Sequence, residues 1–203
     1  MQLSSLSQAR NPQIKQLTAQ VILCLAVITS TAACVPIVAG GAAAGGAVAV
    51  DRRTSGIYVE DENIELKAVK YVETALGENT HVNITSYNRN VLLTGEAPDL
   101  ETKAKAEAFV KGIENIRAVT NEIVVGPKSS ISSRSNDTYL TSKVKTQFVT
   151  ENKFQANYVK VVTENSAVYL LGIVNKAEAD AAVEIARNTS GVEKVVKVFE
   201  YLN

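Results

Sequence analysis

Cysteine is almost absent from this chain of 203 residues, and its two cysteines, Cys24 and Cys34, both lie near the beginning. The chain after Cys34 contains none. This excludes a disulfide framework, a cysteine metal site and a thiol nucleophile from that part of the chain. An excess of one charge is also lacking, since 21 basic side chains balance 21 acidic ones. A nucleic-acid-binding protein would show a basic excess, so we predict no nucleic-acid partner.

Histidine is equally scarce, because His81 is the only one in the chain. We expect it to be an ordinary residue at the beginning of a strand. The carboxylate pairs Asp61/Glu62 and Glu178/Asp180 lie on or beside predicted helices, where a solvated face is expected rather than acid–base chemistry. The chain also lacks the Gly-x-Ser-x-Gly motif of a serine nucleophile. The sequence therefore predicts a protein that is not an enzyme and has no metal, no cofactor and no small-molecule substrate.

The segment 1–33 has the three parts of a secretory signal peptide. Two basic residues are the only charges before Asp51, an apolar run follows at positions 21–29, and small residues lead to Cys34. The stretch 31–34, Thr-Ala-Ala-Cys, resembles a bacterial lipobox in which Thr31 replaces the usual Leu. That resemblance implies cleavage before Cys34 and acylation of its thiol and new amine. The alternative is an ordinary secretion site followed by an incidental cysteine.

The segment that follows is uncharged and rich in glycine and alanine. Residues 16–50 carry no charge and are long enough to span a bilayer, which requires about 20 apolar residues. However, Pro36 and several internal glycines, each costing a helix about 1 kcal/mol, favour a flexible tether. By resemblance to the sorting rule of enterobacteria, Val35 in place of Asp favours the outer membrane over the inner membrane.

The chain after Asp51 repeats one pattern twice. Segments 82–95 and 159–172 both alternate apolar and polar residues, pass through a polar turn and end in glycine. Alternation across a turn that contains Asn predicts a β-hairpin in each copy. The repetition indicates two domains of the same construction.

A helical pattern precedes each hairpin. Apolar residues recur every four positions, at Ile64, Ala68 and Val72 in copy one and at Leu140, Val144 and Phe148 in copy two. Asp61 and Asp137 come just before these residues, and we predict that their carboxylates cap the helices.

A second helix and a last strand complete each copy. Segments 99–110 and 176–186 are rich in the helix formers Ala, Glu and Lys, and segments 118–125 and 195–201 read as strands. The sequence thus predicts an α+β fold with two tandem domains. Each is expected to run helix–strand–strand–helix–strand, with a three-stranded mixed sheet packed on two helices.

This order of elements resembles the BON domain. The resemblance also includes the glycine after each hairpin and the stretch Gly-Val-Glu-Lys-Val-Val at 191–196, with a weaker counterpart at 112–119. With the lipobox and tether in front, the whole chain is similar to the dual BON-domain outer-membrane lipoproteins of Gram-negative bacteria. We expect a signal peptide at 1–33, a lipid anchor and tether at 34–56, a first BON domain at 57–126, a linker at 127–135 and a second BON domain at 136–203.

The second copy carries the candidate lipid-binding residues. Residues 57–126 have 7 basic and 12 acidic side chains, whereas residues 136–203 have 8 of each. Since each basic residue near an anionic bilayer contributes about 1 kcal/mol of attraction, copy two is better suited to face lipid. We predict that Tyr139, Leu140, Lys143 and Lys145 bind anionic phospholipid.

Tyr139 stands where copy one has Asn63, and its ring with a polar tip suits the headgroup region of a bilayer. The resemblance implies the same, because this helix contacts anionic phospholipid in the similar lipoproteins, with Trp in the place of Tyr139. Insertion should therefore be shallower here. The alternative is that Tyr139 packs on the linker or on copy one.

The sequence favours a lipid-anchored protein on the periplasmic side of the outer membrane that binds anionic phospholipids and supports envelope integrity. The resemblance adds a role at division sites and in stress. Two alternatives stay open. The acidic first copy could recruit an envelope protein partner, or the domains could sense a small ion, as implied by a similar cytoplasmic protein that binds potassium.

Overall fold

The computed structural model describes residues 51–202, in which the predicted order of elements occurs twice. Copy one consists of α1 (Ser55–Ala75), β1 (His81–Tyr87), β2 (Asn90–Ala97), α2 (Leu100–Lys111), β3 (Ala118–Asn121) and β4 (Val124–Val125). Copy two consists of α3 (Ile131–Glu151), a 3-10 turn (Ala156–Tyr158), β5 (Val159–Glu164), β6 (Ala167–Val174), α4 (Lys176–Asn188) and β7 (Lys194–Tyr201). The predicted α+β class is confirmed.

Each sheet combines an antiparallel hairpin with a parallel neighbour. β1 pairs antiparallel with β2, and β5 with β6. β2 pairs parallel with β3 and β4, while β6 pairs parallel with β7. The hairpins turn at 88–89 and 165–166, where all four residues have φ between +47° and +63°. Positive φ at both central residues is what a tight hairpin turn requires, and Asn, the first residue of each turn, tolerates it.

The glycine that ends each repeated hairpin motif lies where two backbones touch. A Cβ atom on Gly95 would lie 2.0 Å from the carbonyl oxygen of His81, and one on Gly172 would lie 2.4 Å from that of Tyr158. Because backbone atoms cannot yield as a flexible side chain can, these two positions admit only glycine. The sequence motif thus has a steric cause.

The helices of each copy cover one face of its sheet. Five of the six apolar residues predicted to form the helical stripes are at most 2% exposed, and Val72 is partly buried. They pack with inward-facing strand residues such as Leu93 in copy one and Leu170 in copy two. Burying a side chain of this size contributes about 1.5–3 kcal/mol, so these stripes stabilise both copies.

The other faces of the two sheets pack against each other. Tyr87 and Leu92 of copy one meet Tyr169 and Leu171 of copy two in one buried cluster. These residues alternate along their strands with residues that face the helices, as the pleat of a strand requires. The two copies therefore dock sheet to sheet.

The last strand of copy one differs from the prediction. The predicted strand 118–125 is interrupted at Glu122 and Ile123, while β7 of copy two pairs without a break. The side chain of Asn121 accepts a hydrogen bond of 3.1 Å from the amide of Ile123, whose own side chain is 1% exposed. The amide of Glu122 still donates a hydrogen bond of 2.9 Å to the carbonyl of Leu93, and pairing with β2 resumes at Val124 in the same register.

The predicted capping role of Asp61 and Asp137 is wrong. The helices begin earlier, at positions 55 and 131, and Thr54 and Ser130 accept the capping hydrogen bonds. The first turn of α3 thus lies inside the segment 127–135 that was expected to be a linker. Asp61 and Asp137 are 2% and 4% exposed, so Asp61 does not lie on a solvated face either.

The two aspartates instead hold the tips of the hairpins. Asp61 accepts hydrogen bonds from the amides of Asn88 (2.9 Å) and Arg89 (2.7 Å). Asp137 accepts the equivalent bonds from residues 165 and 166, at 3.0 and 2.9 Å. Each carboxylate therefore fixes a turn of positive φ against the first helix of its copy.

Candidate membrane-facing site

The exposed side of α3 forms a polar surface with few charges. This outer face of α3 consists of Ser135, Tyr139, Ser142, Thr146 and Val149, with Lys143 and Lys145 on its two edges. Tyr139 is 63% exposed and Val149 is 66% exposed. Both side chains can therefore contact another surface without any change in the fold.

Tyr139 and Lys143 lie together, as their spacing of four residues predicts. The Nζ atom of Lys143 lies 6.0 Å from the centre of the Tyr139 ring and donates a hydrogen bond of 2.9 Å to the carbonyl of Ser190. Lys145 is exposed on the opposite edge of the face. The two lysines therefore bracket Tyr139 and the hydroxyl residues between them.

The prediction that Leu140 binds lipid is wrong. Its side chain is 2% exposed and belongs to the core, and a Cβ atom on Gly191 would lie 2.8 Å from one of its methyl groups. One position along a helix turns a side chain by about 100°, so the neighbour of an exposed tyrosine can face the core. Only Tyr139, Lys143 and Lys145 of the predicted set reach the surface.

Hydroxyl groups on this helix are turned inward to its own backbone. Ser135, Thr138, Ser142 and Thr146 each donate a hydrogen bond of 2.8–3.0 Å to the carbonyl four residues earlier. Since these hydroxyls are already paired as donors, the face is less polar than its composition suggests.

The charge of this helix contrasts with that of α1. Between residues 131 and 150 the bases are Arg134, Lys143 and Lys145, and Asp137 is the only acid; it is buried. In contrast, α1 carries five acidic and two basic residues. The exposed charge of α3 is therefore positive along almost its whole length.

Residues 51–53, where the described chain begins, contact both copies. Arg52 donates hydrogen bonds to the two carboxylate oxygens of Glu178, at 2.7 and 2.8 Å, and lies 3.8 Å from the centre of the Tyr158 ring in copy two. These hydrogen bonds lower the pKa of Glu178. Arg53 donates to Asp61 of copy one at 2.9 Å. The entry point of the chain is thus fixed at the junction of the two copies.

A groove of about 650 Å³ connects this entry point with α3. Arg53 and Tyr58 line one part of it, and Lys145, Phe148 and Val149 line another. One edge of the α3 outer face and the entry of the chain therefore lie on the same side of the molecule.

Cys34, the predicted lipidation residue, and the signal peptide lie outside the described residues. Within residues 51–202, no helix is long and apolar enough to cross a membrane.

Comparison with known proteins gives matches over most of the chain. The family model described as BON domain matches residues 61–127 and 136–203. The outer membrane lipoprotein DolP of Haemophilus influenzae is 42% identical over 172 residues, which cover 84% of this chain and 89% of the relative.

Two further relatives match less closely. The 21 kDa hemolysin of Actinobacillus pleuropneumoniae is 37% identical over 155 residues, covering 75% of this chain and 80% of the relative. The osmotically-inducible protein Y of Escherichia coli is 28% identical over 147 residues, covering 69% and 72%.

Proposed function

The chain belongs to the BON domain family, with two copies of the domain, and on this premise we propose that it is an outer-membrane lipoprotein whose second domain binds anionic phospholipid and supports envelope integrity. Identity of 42% with an outer membrane lipoprotein supports an envelope protein of the outer membrane. The family and its relatives indicate a protein that is not an enzyme.

The contrast between α3 and α1 carries the proposal. Both helices begin equivalent domains, yet α3 exposes Tyr139 between two lysines, whereas α1 has Asn63 in the equivalent place and an acidic surface. An anionic bilayer attracts exposed bases and repels exposed acids, so only α3 has the charge for this contact. The ring of Tyr139 adds apolar area at headgroup depth.

The attachment of the chain supports an orientation in which α3 faces the membrane. We propose that Cys34 is acylated and holds the protein on the periplasmic side of the outer membrane; two or more acyl chains give stable anchoring. Residues 35–50 connect Cys34 to Asp51, and an extended chain of that length reaches at most about 60 Å. Because Arg53 and Lys145 line one groove, an anchor entering at Asp51 keeps α3 within reach of the leaflet.

Vesicle flotation of residues 35–203 tests the lipid contact without the anchor. We expect flotation with vesicles that contain phosphatidylglycerol and none with vesicles of phosphatidylcholine alone. Tyr139→Ala should weaken this binding about tenfold, because it removes about 1.5 kcal/mol of apolar contact. Asn63→Ala, at the equivalent position of the first domain, is the matched control and should change nothing. Equal binding to both vesicle types, or to neither, would contradict the proposal.

The mass of the mature N-terminus tests the anchor separately. We expect a diacylated or triacylated Cys34 as the first residue. Recovery of a soluble mature protein without fatty acyl groups would contradict anchoring through Cys34 while leaving the lipid contact of α3 to be judged by flotation.

A second candidate function rests on an exposed apolar stripe of α1. Val59, Leu66 and Val69 are 58%, 67% and 38% exposed, among the acidic side chains of that helix. An apolar stripe bordered by acids suits an envelope protein whose own surface is apolar with a basic rim. In that case the protein is an adaptor that recruits its partner through the first domain.

Co-purification from membranes separates the two functions. The adaptor function predicts an envelope protein that is retained by Tyr139→Ala and lost on Leu66→Asp. If Leu66→Asp loses no partner, the second candidate is wrong.

A further inference from the structure

The two ends of the interface between the sheets are built from equivalent positions but differ in charge. At one end, Arg53 directly precedes the cap of α1 and donates hydrogen bonds to Asp51 and Asp61. At the other end, Ser129 directly precedes the cap of α3 and therefore occupies the position in copy two that Arg53 occupies in copy one. The second end therefore has no arginine at the position equivalent to Arg53. Arg134 lines the pocket at this end together with His81 and Glu164, but its side chain forms no ion pair with either residue.

A histidine and two glutamates meet at this second end. His81 and Glu96 are partners in the register of β1 and β2, and their Nδ1 and Oε2 atoms are 3.1 Å apart. Glu164, the last residue of β5, approaches from the other domain and places its Oε1 atom 3.9 Å from the same nitrogen. All three side chains offer atoms that lie within 4.8 Å of one another. We call this set the interdomain triad.

The two carboxylates of the triad are buried, and neither pairs with a lysine or arginine in the described part of the chain. Glu96 and Glu164 are 3% and 5% exposed. Glu96 accepts hydrogen bonds from the amide of Ser129 and the side chain of Asn165. Glu164 accepts hydrogen bonds from the side chains of Asn83 and Thr94. Burial raises the pKa of Glu164.

These donors are neutral. Among residues 51–202, no lysine or arginine nitrogen lies within 4.0 Å of either glutamate. Glu164 is thus a buried carboxylate that has no ion pair with a lysine or arginine and lies close to a histidine and a second carboxylate, a place where a bound cation would add the positive charge.

We propose that His81, Glu96 and Glu164 bind one divalent transition-metal ion of the zinc type between the two BON domains. One imidazole nitrogen and two carboxylate oxygens are suitable ligands for such an ion and leave a position for water. Calcium and magnesium take oxygen ligands, so the histidine selects against them.

The geometry of the triad fits with a small movement. Atoms that bind one tetrahedral ion at about 2.0–2.2 Å lie about 3.3 Å apart. The separation of His81 from Glu96 already meets this requirement, and the Glu164 carboxylate has to move closer by rotation of its side chain. Because Glu164 belongs to the second domain and the other two ligands to the first, the ion joins the domains, as Arg52 and Arg53 do at the opposite end.

Thermal unfolding with added ions tests the site. The mature full chain, without a histidine tag, is purified in detergent, stripped with a chelator and heated with or without Zn²⁺. We expect Zn²⁺ to raise the melting temperature by several degrees and Mg²⁺ to leave it unchanged. His81→Gln and Glu164→Gln should each abolish the rise. Glu200→Gln, which removes another interdomain carboxylate that Arg117 contacts outside the triad, should retain it.

A spectroscopic readout on the unsubstituted protein covers the case in which a variant does not fold. Because His81 is the only histidine, labelling with ¹⁵N-histidine gives the signals of one ring. Stoichiometric Zn²⁺ should shift its Nδ1 resonance, and Co²⁺ should give the visible absorption of a nitrogen and oxygen site. An unmoved His81 resonance, or an equal rise in melting temperature for His81→Gln, would overturn the proposal.

Discussion

Lys143→Gln combined with Lys145→Gln removes both charges from the edges of the α3 outer face. Each base near an anionic surface contributes about 1 kcal/mol, so the pair should contribute about 2 kcal/mol and its loss should weaken vesicle binding roughly 30-fold. The fold should remain, because Lys145 is exposed and Lys143 makes one hydrogen bond at the surface. The change in stability should stay within about 0.5 kcal/mol.

Lys67→Gln combined with Lys70→Gln provides the matched control on α1. Lys67 is the counterpart of Lys143, both control lysines are exposed, and the change in net charge is the same. The partition of each variant into vesicles with phosphatidylglycerol is measured at low and at high salt, where screening should reduce the difference between the two variants. Similar losses in both double variants would refute the reasoning, because binding would then follow net charge and not the surface of α3.

Three further predictions concern single side chains. Since the chain contains no tryptophan, Tyr139→Trp introduces a unique fluorophore; its emission should shift to the blue with anionic vesicles and stay unchanged with neutral ones. Asp61→Ala should lower the free energy of unfolding in urea by about 4 kcal/mol, and Asp137→Ala by about 2 kcal/mol, because only Asp61 also pairs with a buried arginine; equal losses would contradict this account. Arg52→Gln should destabilise the protein at pH 7. Because Arg52 lowers the pKa of Glu178 in the folded state, the stability that this pair contributes is present above the pKa of Glu178 in the unfolded chain and is lost as the pH falls. The difference in urea midpoint between the variant and the unsubstituted protein should therefore shrink between about pH 5 and pH 3.

Local patterns predicted the elements of this fold because the forces that set them act over a few residues. The stripe of Leu140, Val144 and Phe148 recurs every four residues, so its burial follows from helical geometry alone. The same logic failed for Asp61, since a carboxylate before an apolar stripe looks like a cap. The hydroxyl residues Thr54 and Ser130 were the available signal for the true beginning of each helix.

The candidate site was only partly predictable for a related reason. The exposure of Tyr139 follows from its place beside the core stripe, and its proximity to Lys143 follows from the helical repeat. The assignment of Leu140 to the lipid surface failed because that residue is itself part of the stripe. His81 was expected to be an ordinary strand residue, because its partner Glu164 belongs to the other domain and is distant in the chain.

The amino-acid sequence was sufficient to predict the repeated unit, its order of helices and strands, and the hairpins that end in glycine. Each of these depends on neighbours within a turn or a strand pair, and the second copy repeats the evidence of the first. Three features became visible in the folded chain alone: the sheets dock face to face, Asp61 holds the turn at Asn88, and His81 meets Glu164. Such contacts join residues distant in the chain, and no local period of hydrophobicity or charge encodes which distant side chain will lie opposite.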